Sequence, residues 1–135
     1  MIADVIPFRP QPQPISLRLR EVLNDESGEI TKWFSANSGA RAKFRIRVQH
    51  LQKIGRGEWN ITQFRHLGDG LAEIKWKHGN KQFRAIGFDH QGWFVVVIGC
   101  IHKMNVYDPQ SCLKTAKRIM GEVKDGTRKT REFKP

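Results

Sequence analysis

Acidic side chains are scarce in this chain: 13 Asp and Glu stand against 24 Lys and Arg, leaving a net charge of +11. That imbalance points to a polyanionic partner, because Lys and Arg that neutralise phosphates release bound counterions. Basicity alone does not separate nucleic acid from an acidic protein or an anionic membrane surface. Cysteine is equally sparse, with Cys100 and Cys112 alone and no CxxC pair. A disulfide framework is excluded; with no secretory signal, buried thiols in a reducing cytoplasm are expected. Apolar runs are short, and the longest, Trp93 to Ile98, cannot cross a bilayer. No Gly-rich phosphate loop precedes a helix, and no Ser-His-Asp or zinc pattern occurs. His50, His66, His78 and His90 are scattered without metal-ligand spacing. Neither a metal nor an organic cofactor is called for.

A chain of 135 residues holds one domain with a real core. Residues 1–14 carry four of the six prolines and read as a mobile arm. Residues 15–123 form the folded domain, and residues 124–135 a basic polar tail, frayed or disordered. Ile15, Leu17 and Leu19 alternate with polar residues, the period of a half-buried strand. Asn24-Asp25-Glu26-Ser27 offers capping side chains for a short helix bearing Ile30, Trp33 and Phe34. A second helix places Ala40, Phe44, Val48 and Leu51 on one face and Arg41, Arg45 and Gln49 on the other, and Gly55 closes it. So short a break between the helices predicts an antiparallel hairpin. Strands follow over Leu71–Lys77, Gln82–Phe88 and Trp93–Ile101, the last apolar on both faces and therefore central. Asp108 and Pro109 predict a last helix with Cys112, Ala116, Ile119, Met120 and Val123 as its stripe.

The segment from Leu67 to Ala116 carries the chemistry. Cutting RNA without a metal needs a base for the 2′-OH, cations for the phosphorane oxygens and an acid for the departing 5′ oxygen. Arg84 is the candidate phosphate clamp, since a guanidinium matches phosphate oxygens in pairs. Lys75, Lys77 and Lys103 are candidates for charge stabilisation, and a lysine among cations can also act as base. His102 can take or give a proton near neutrality. Tyr107 can stack on a splayed base or offer its hydroxyl. Glu73 shares a strand face with Lys75 and is a second candidate base. Arg41, Arg45, Lys77 and Glu73 are candidates for contacting the RNA chain. Each has a bland alternative. Lys75 and Lys77 can simply solvate a hairpin face. Arg84 can pair with Glu73, His102 can serve the strand end, and Tyr107 can pack beside the helix cap.

The run from Phe64 to Arg118 resembles the RelE/HigB-like toxin superfamily, in its phage-derived HigB-type branch. The likeness rests on Glu73-Ile74-Lys75, Phe83-Arg84, Gly99-Cys100-Ile101-His102-Lys103-Met104, Tyr107-Asp108-Pro109 and Ala116-Lys117-Arg118. With the preceding strand and helices it covers about residues 15–123. Lys75 stands where Arg is usual, and His102 replaces the first of two paired lysines. The resemblance implies an α+β, RelE-like fold: a mixed, mainly antiparallel sheet of about four strands with an N-terminal helical hairpin and a C-terminal helix. It also implies the toxin of a type II toxin–antitoxin module, a metal-independent endoribonuclease cleaving mRNA on the ribosome. A cognate antitoxin, a helix-turn-helix protein, would be its partner. Two alternatives stand beside it. One is a non-catalytic basic module binding RNA or protein. The other is a DNA-binding regulator, for which no helix-turn-helix with a basic recognition helix is evident.

Overall fold

The computed structural model describes residues 17–135; the expected N-terminal arm, residues 1–14, lies outside them. Strand β1 (Leu19–Asn24) and the two-residue β2 (Ser27–Gly28) come first, followed by α1 (Glu29–Ala36) and α2 (Ser38–Ile54). A 3-10 turn over Arg56–Glu58 leads to β3 (Phe64–Gly68), β4 (Leu71–His78), β5 (Lys81–His90) and β6 (Trp93–Lys103). The chain ends in β7 (Val106–Asp108), α3 (Cys112–Asp125) and β8 (Thr130–Glu132). All strands join one eight-stranded sheet ordered β2-β1-β6-β5-β4-β3, with β7 beside β6 and β8 beside β1. Among the described residues only the β1–β6 pairing is parallel.

Helices cover both faces of the sheet. Phe34 of α1 and Ala40, Phe44, Val48 and Leu51 of α2 pack with Ile74, Trp76, Phe83, Ala85, Phe94 and Val96 on one side. Cys112, Ala116, Ile119, Met120 and Val123 of α3 pack with Ile86, Val95, Val97 and Cys100 on the other. From Phe94 to Ile101 the residues of β6 are shared between two buried layers, with one irregularity at Val97–Ile98, which is why that stretch is apolar. Gly99 lets α1 pack closely on β6: a Cβ there would lie 2.4 Å from the Trp33 ring.

The expected architecture is corrected in two respects. The sheet has eight strands rather than about four, and the helices do not open the domain, because β1 and β2 precede them. The RelE-like arrangement with an N-terminal helical hairpin does not hold. Strands of two or three residues, such as β2, β7 and β8, are too short to show alternation, and backbone pairing alone defines them. The tail is likewise not frayed. Gly126 ends α3 in a left-handed conformation (φ 87°), β8 pairs with Arg20–Val22, and Phe133 is buried against Phe34.

Helix starts were also misplaced. The helix expected from Asp108 begins at Cys112, because Asp108 is drawn into β7 opposite Ile101. At α1 no residue of 24–27 supplies a side-chain cap. The fully buried carboxylate of Glu21, on β1, accepts instead from the Thr31 backbone N–H at 2.9 Å and the Thr31 hydroxyl at 2.7 Å. A charge from a neighbouring strand thus satisfies the third helical N–H and faces the positive helix end. Arg131 of β8 neutralises it from outside at 3.0 Å.

Candidate active site

Cross-strand register decides which polar groups meet. Lys75 lies opposite Arg84, and Arg84 opposite Cys100. One step along the same face, Lys77 lies opposite Gln82, Gln82 opposite His102, and His102 opposite Tyr107. Arg65 of β3 lies opposite Glu73. Five strands so deliver Arg65, Glu73, Lys75, Lys77, Gln82, Arg84, His102 and Tyr107 to one sheet face, beyond the reach of α3.

Glu73 is the hub and is fully buried. Its Oε2 accepts the Tyr107 hydroxyl at 2.7 Å. Its Oε1 lies 3.1 Å from Arg65 Nη2 and 3.7 Å from Arg84 Nε. Arg84, only 5 % exposed, donates through Nη1 to the Phe83 carbonyl at 2.9 Å and through Nη2 to Gln82 Oε1 at 2.9 Å. The same Nη2 lies 3.5 Å from His102 Nδ1. The His102 and Tyr107 rings meet edge to face at 5.1 Å.

These contacts set protonation. Burial, then the Arg84 charge, holds the His102 imidazole below its ordinary pKa, so near neutrality it is uncharged. Because Nδ1 faces a guanidinium N–H, its lone pair points there and the ring proton sits on Nε2. Burial, then Glu73, pushes the Tyr107 phenol up, which makes it a donor and not a base. Burial, then Arg84, lowers Lys75; its Nζ donates to the Ile61 carbonyl at 3.0 Å. Burial also lowers Arg84, with Glu73 opposing, yet a guanidinium stays charged at any physiological pH.

Beside this cluster runs a groove of about 670 Å³ lined by Lys43, Ile46, Arg47, His50, Thr62, Lys75, Trp76, Lys77, Gln82 and Arg84. Five cations and an imidazole line it, and no carboxylate does. It exists because β3 pairs with β4 only as far as Ile74, leaving the last residues of β4 as a free edge. The wall opposite is α2, which the Trp76 indole N–H anchors by donating to the Ala40 carbonyl at 3.0 Å. Lys43, Arg47 and His50 fall at i, i+4 and i+7 of α2, one flank of the helix. Arg47 Nε is buried with no hydrogen bond, and burial lowers the group.

The sequence-expected residues divide cleanly. Lys75, Lys77 and Arg84 line the groove, and Glu73, His102 and Tyr107 join them through Arg84. Lys103 does not belong: it follows His102 on the strand, so its exposed side chain leaves on the opposite face. Arg41 and Arg45 do not belong either. They donate to the carbonyls of Lys134 (3.0 Å) and Pro135 (2.9 Å), on the flank of α2 that receives the returning C-terminal segment. Sequence reasoning missed Lys43, Arg47, His50, Arg65 and Gln82. The Lys43-Arg47-His50 spacing was a usable signal, whereas Arg65 is placed by the β3–β4 pairing alone.

Among the described residues no group of three His, Cys, Asp or Glu side chains is placed to hold a metal ion. No helix among them is long and apolar enough to cross a membrane. No family model, curated protein or solved structure matches the chain.

Proposed function

We propose that the protein is a metal-independent endoribonuclease, the toxin of a type II toxin–antitoxin module acting on mRNA at the ribosome. One observation carries the reading: Arg84 lines the carboxylate-free cationic groove and at the same time touches both Glu73 and His102. A backbone track and a proton-transfer group thus share one side chain. As Arg84 turns its Nη2 N–H from His102 to the phosphate, neutral His102 takes the 2′-OH proton on the freed Nδ1 and O2′ bonds to the adjacent phosphorus. The P–O5′ bond breaks, and the Lys75 ammonium, made more acidic by its surroundings, returns a proton to O5′. The products are a 2′,3′-cyclic phosphate and a free 5′-OH. Arg84 supplies charge beside the phosphorane oxygens, and Lys77, Lys43 and Arg47 hold the flanking phosphates. Glu73 fixes Arg84 and Tyr107, and being wholly buried it orients rather than accepts the substrate proton.

The proton-transfer set is small, so positioning by the ribosome supplies what it lacks. The antitoxin in this reading is a helix-turn-helix protein that covers the groove with acidic or apolar groups. Mapping 5′ ends of transcripts cut on translating ribosomes tests the reading. Wild-type protein is expected to leave 5′-OH ends downstream of the cuts and 2′,3′-cyclic phosphates on the upstream fragments, with Arg84→Ala and His102→Ala inactive.

A second reading is favoured by one fact: the Arg84 N–H groups are already engaged by Phe83, Gln82 and His102. A basic module that binds RNA or protein and cuts nothing would need no more. Intact transcripts together with salt-sensitive RNA binding by the wild type would select it.

A further inference from the structure

The exposed large apolar side chains among the described residues are Ile46 (59 %), Ile61 (69 %), Met104 (95 %) and Val106 (46 %). Met104 and Val106 sit at the β6–β7 turn just past His102 and Tyr107. Ile46 lines the groove itself, and Ile61 adjoins it. Ile46 lines it from α2, between Arg45 and Arg47. Ile61 immediately precedes the lining Thr62, and its carbonyl receives Nζ of the lining Lys75 at 3.0 Å. A solitary exposed isoleucine needs no explanation, but a pair at the mouth of a five-cation groove does. Water solvates neither, and phosphates gain nothing from them.

Building on the reading of this groove as an RNA track, we infer that Ile46 and Ile61 are apolar jaws for an unstacked base, so that the groove takes single-stranded and not duplex RNA. The cations hold phosphates on either side of the jaws. Between them a base turned out of its stack exchanges water for aliphatic contact. In a duplex the base faces are stacked and only base edges show in the shallow minor groove, so the jaws have no face to close on. The charge of the groove attracts both forms of RNA; the isoleucines separate them. Splaying the strand at that point also frees the sugar–phosphate link beside Arg84 for in-line attack.

Ile46 and Ile61 are exposed, so polar replacements there leave the core intact, and a thermal melt checks this. Fluorescence anisotropy with a labelled RNA decamer, single-stranded and as a duplex, measures binding by wild type, Ile46→Ser, Ile61→Ser and the double variant. Wild type is expected to favour the single strand by about tenfold, roughly 1.4 kcal/mol. The double variant is expected to lose most of that preference with an unchanged salt slope, and Ile46→Leu to keep it. Equal wild-type affinity for both forms overturns the inference, as does a preference that survives in a folded double variant. Absence of any RNA binding at low salt overturns the function proposed above as well, so the two failures are told apart.

Discussion

At the scale of single residues, the neutral His102 beside a cationic Arg84 makes the sharpest statement about pH. Its pKa lies below the ordinary value of about 6.5. As pH falls, the unfolded chain takes up this proton before the folded one. The contribution to stability is therefore complete above about pH 6.5 and is lost as pH falls towards the lower, folded pKa. In the proposed reaction the same shift would widen the range in which His102 could act as a base. The acid limb of the rate profile should fall below about pH 6.5, and the Lys75 limb below the ordinary lysine value of about 10.4. Arg84→Gln should move the His102 midpoint upward, because it removes a positive neighbour; an NMR titration of the ring protons checks the direction. The same substitution should lower cleavage by about 10²–10³-fold in single-turnover assays. Glu73 belongs to stability. Glu73→Ala would leave Arg84 buried without its carboxylate and should cost about 3–5 kcal/mol in a denaturant titration.

At the scale of elements, the cap on α1 is the feature with consequences. Glu21 reaches across from β1 to the helix end, and Gly28 makes room: a Cβ there would lie 2.2 Å from the carboxylate. Arg131→Ala removes a charge-assisted hydrogen bond from this carboxylate and should lower stability by about 1–3 kcal/mol, read as a shift in the urea midpoint at unchanged slope. Phe133→Ala should cost about 3–5 kcal/mol, since its ring fills a fully buried place against Phe34 and Phe44. Elements with a period long enough to count were legible. The stripes of α2 and α3 and the strands now seen as β4, β5 and β6 could all be read from apolar spacing. Others could not be read. The helix starts were misjudged because cap-forming residues at 24–27 and 108–109 are spent elsewhere, and β8 was read as tail because Thr130, Arg131 and Glu132 are polar. Its backbone pairing with β1 places it, and the polar side chains of Thr130 and Arg131 then bond to Arg20 and Glu21.

At the scale of the whole molecule, the sheet decides what the sequence could show of the site. Alternation along β4 places Glu73, Lys75 and Lys77 on one face, but that Arg84, His102 and Tyr107 join them depends on the cross-strand register. The α2 wall could not be foreseen that way. Which flank of the helix meets the free edge of β4 depends on where β3 stops, and the other flank, with Arg41 and Arg45, is claimed by the last residues. Net charge predicts attraction but not its location. The groove supplies a location, so the salt dependence should be local as well. Lys43→Ala and Lys77→Ala should each reduce the slope of log affinity against log salt for single-stranded RNA by about 0.7, while Lys103→Ala should leave it unchanged. Equal effects at all three positions would show that binding follows overall charge rather than the groove.

The parallel union of β1 with β6, sealed on its far side by β8, fixes an order of events during synthesis. The earliest strand must wait for two segments made much later, and such long closures are slow. The successive hairpins from β3 to β7 need only near neighbours and can assemble first. The reactive face would then take shape before the outer border closes, so a nascent chain halted short of Thr130 would display its cations while one apolar flank still lay open to chaperones.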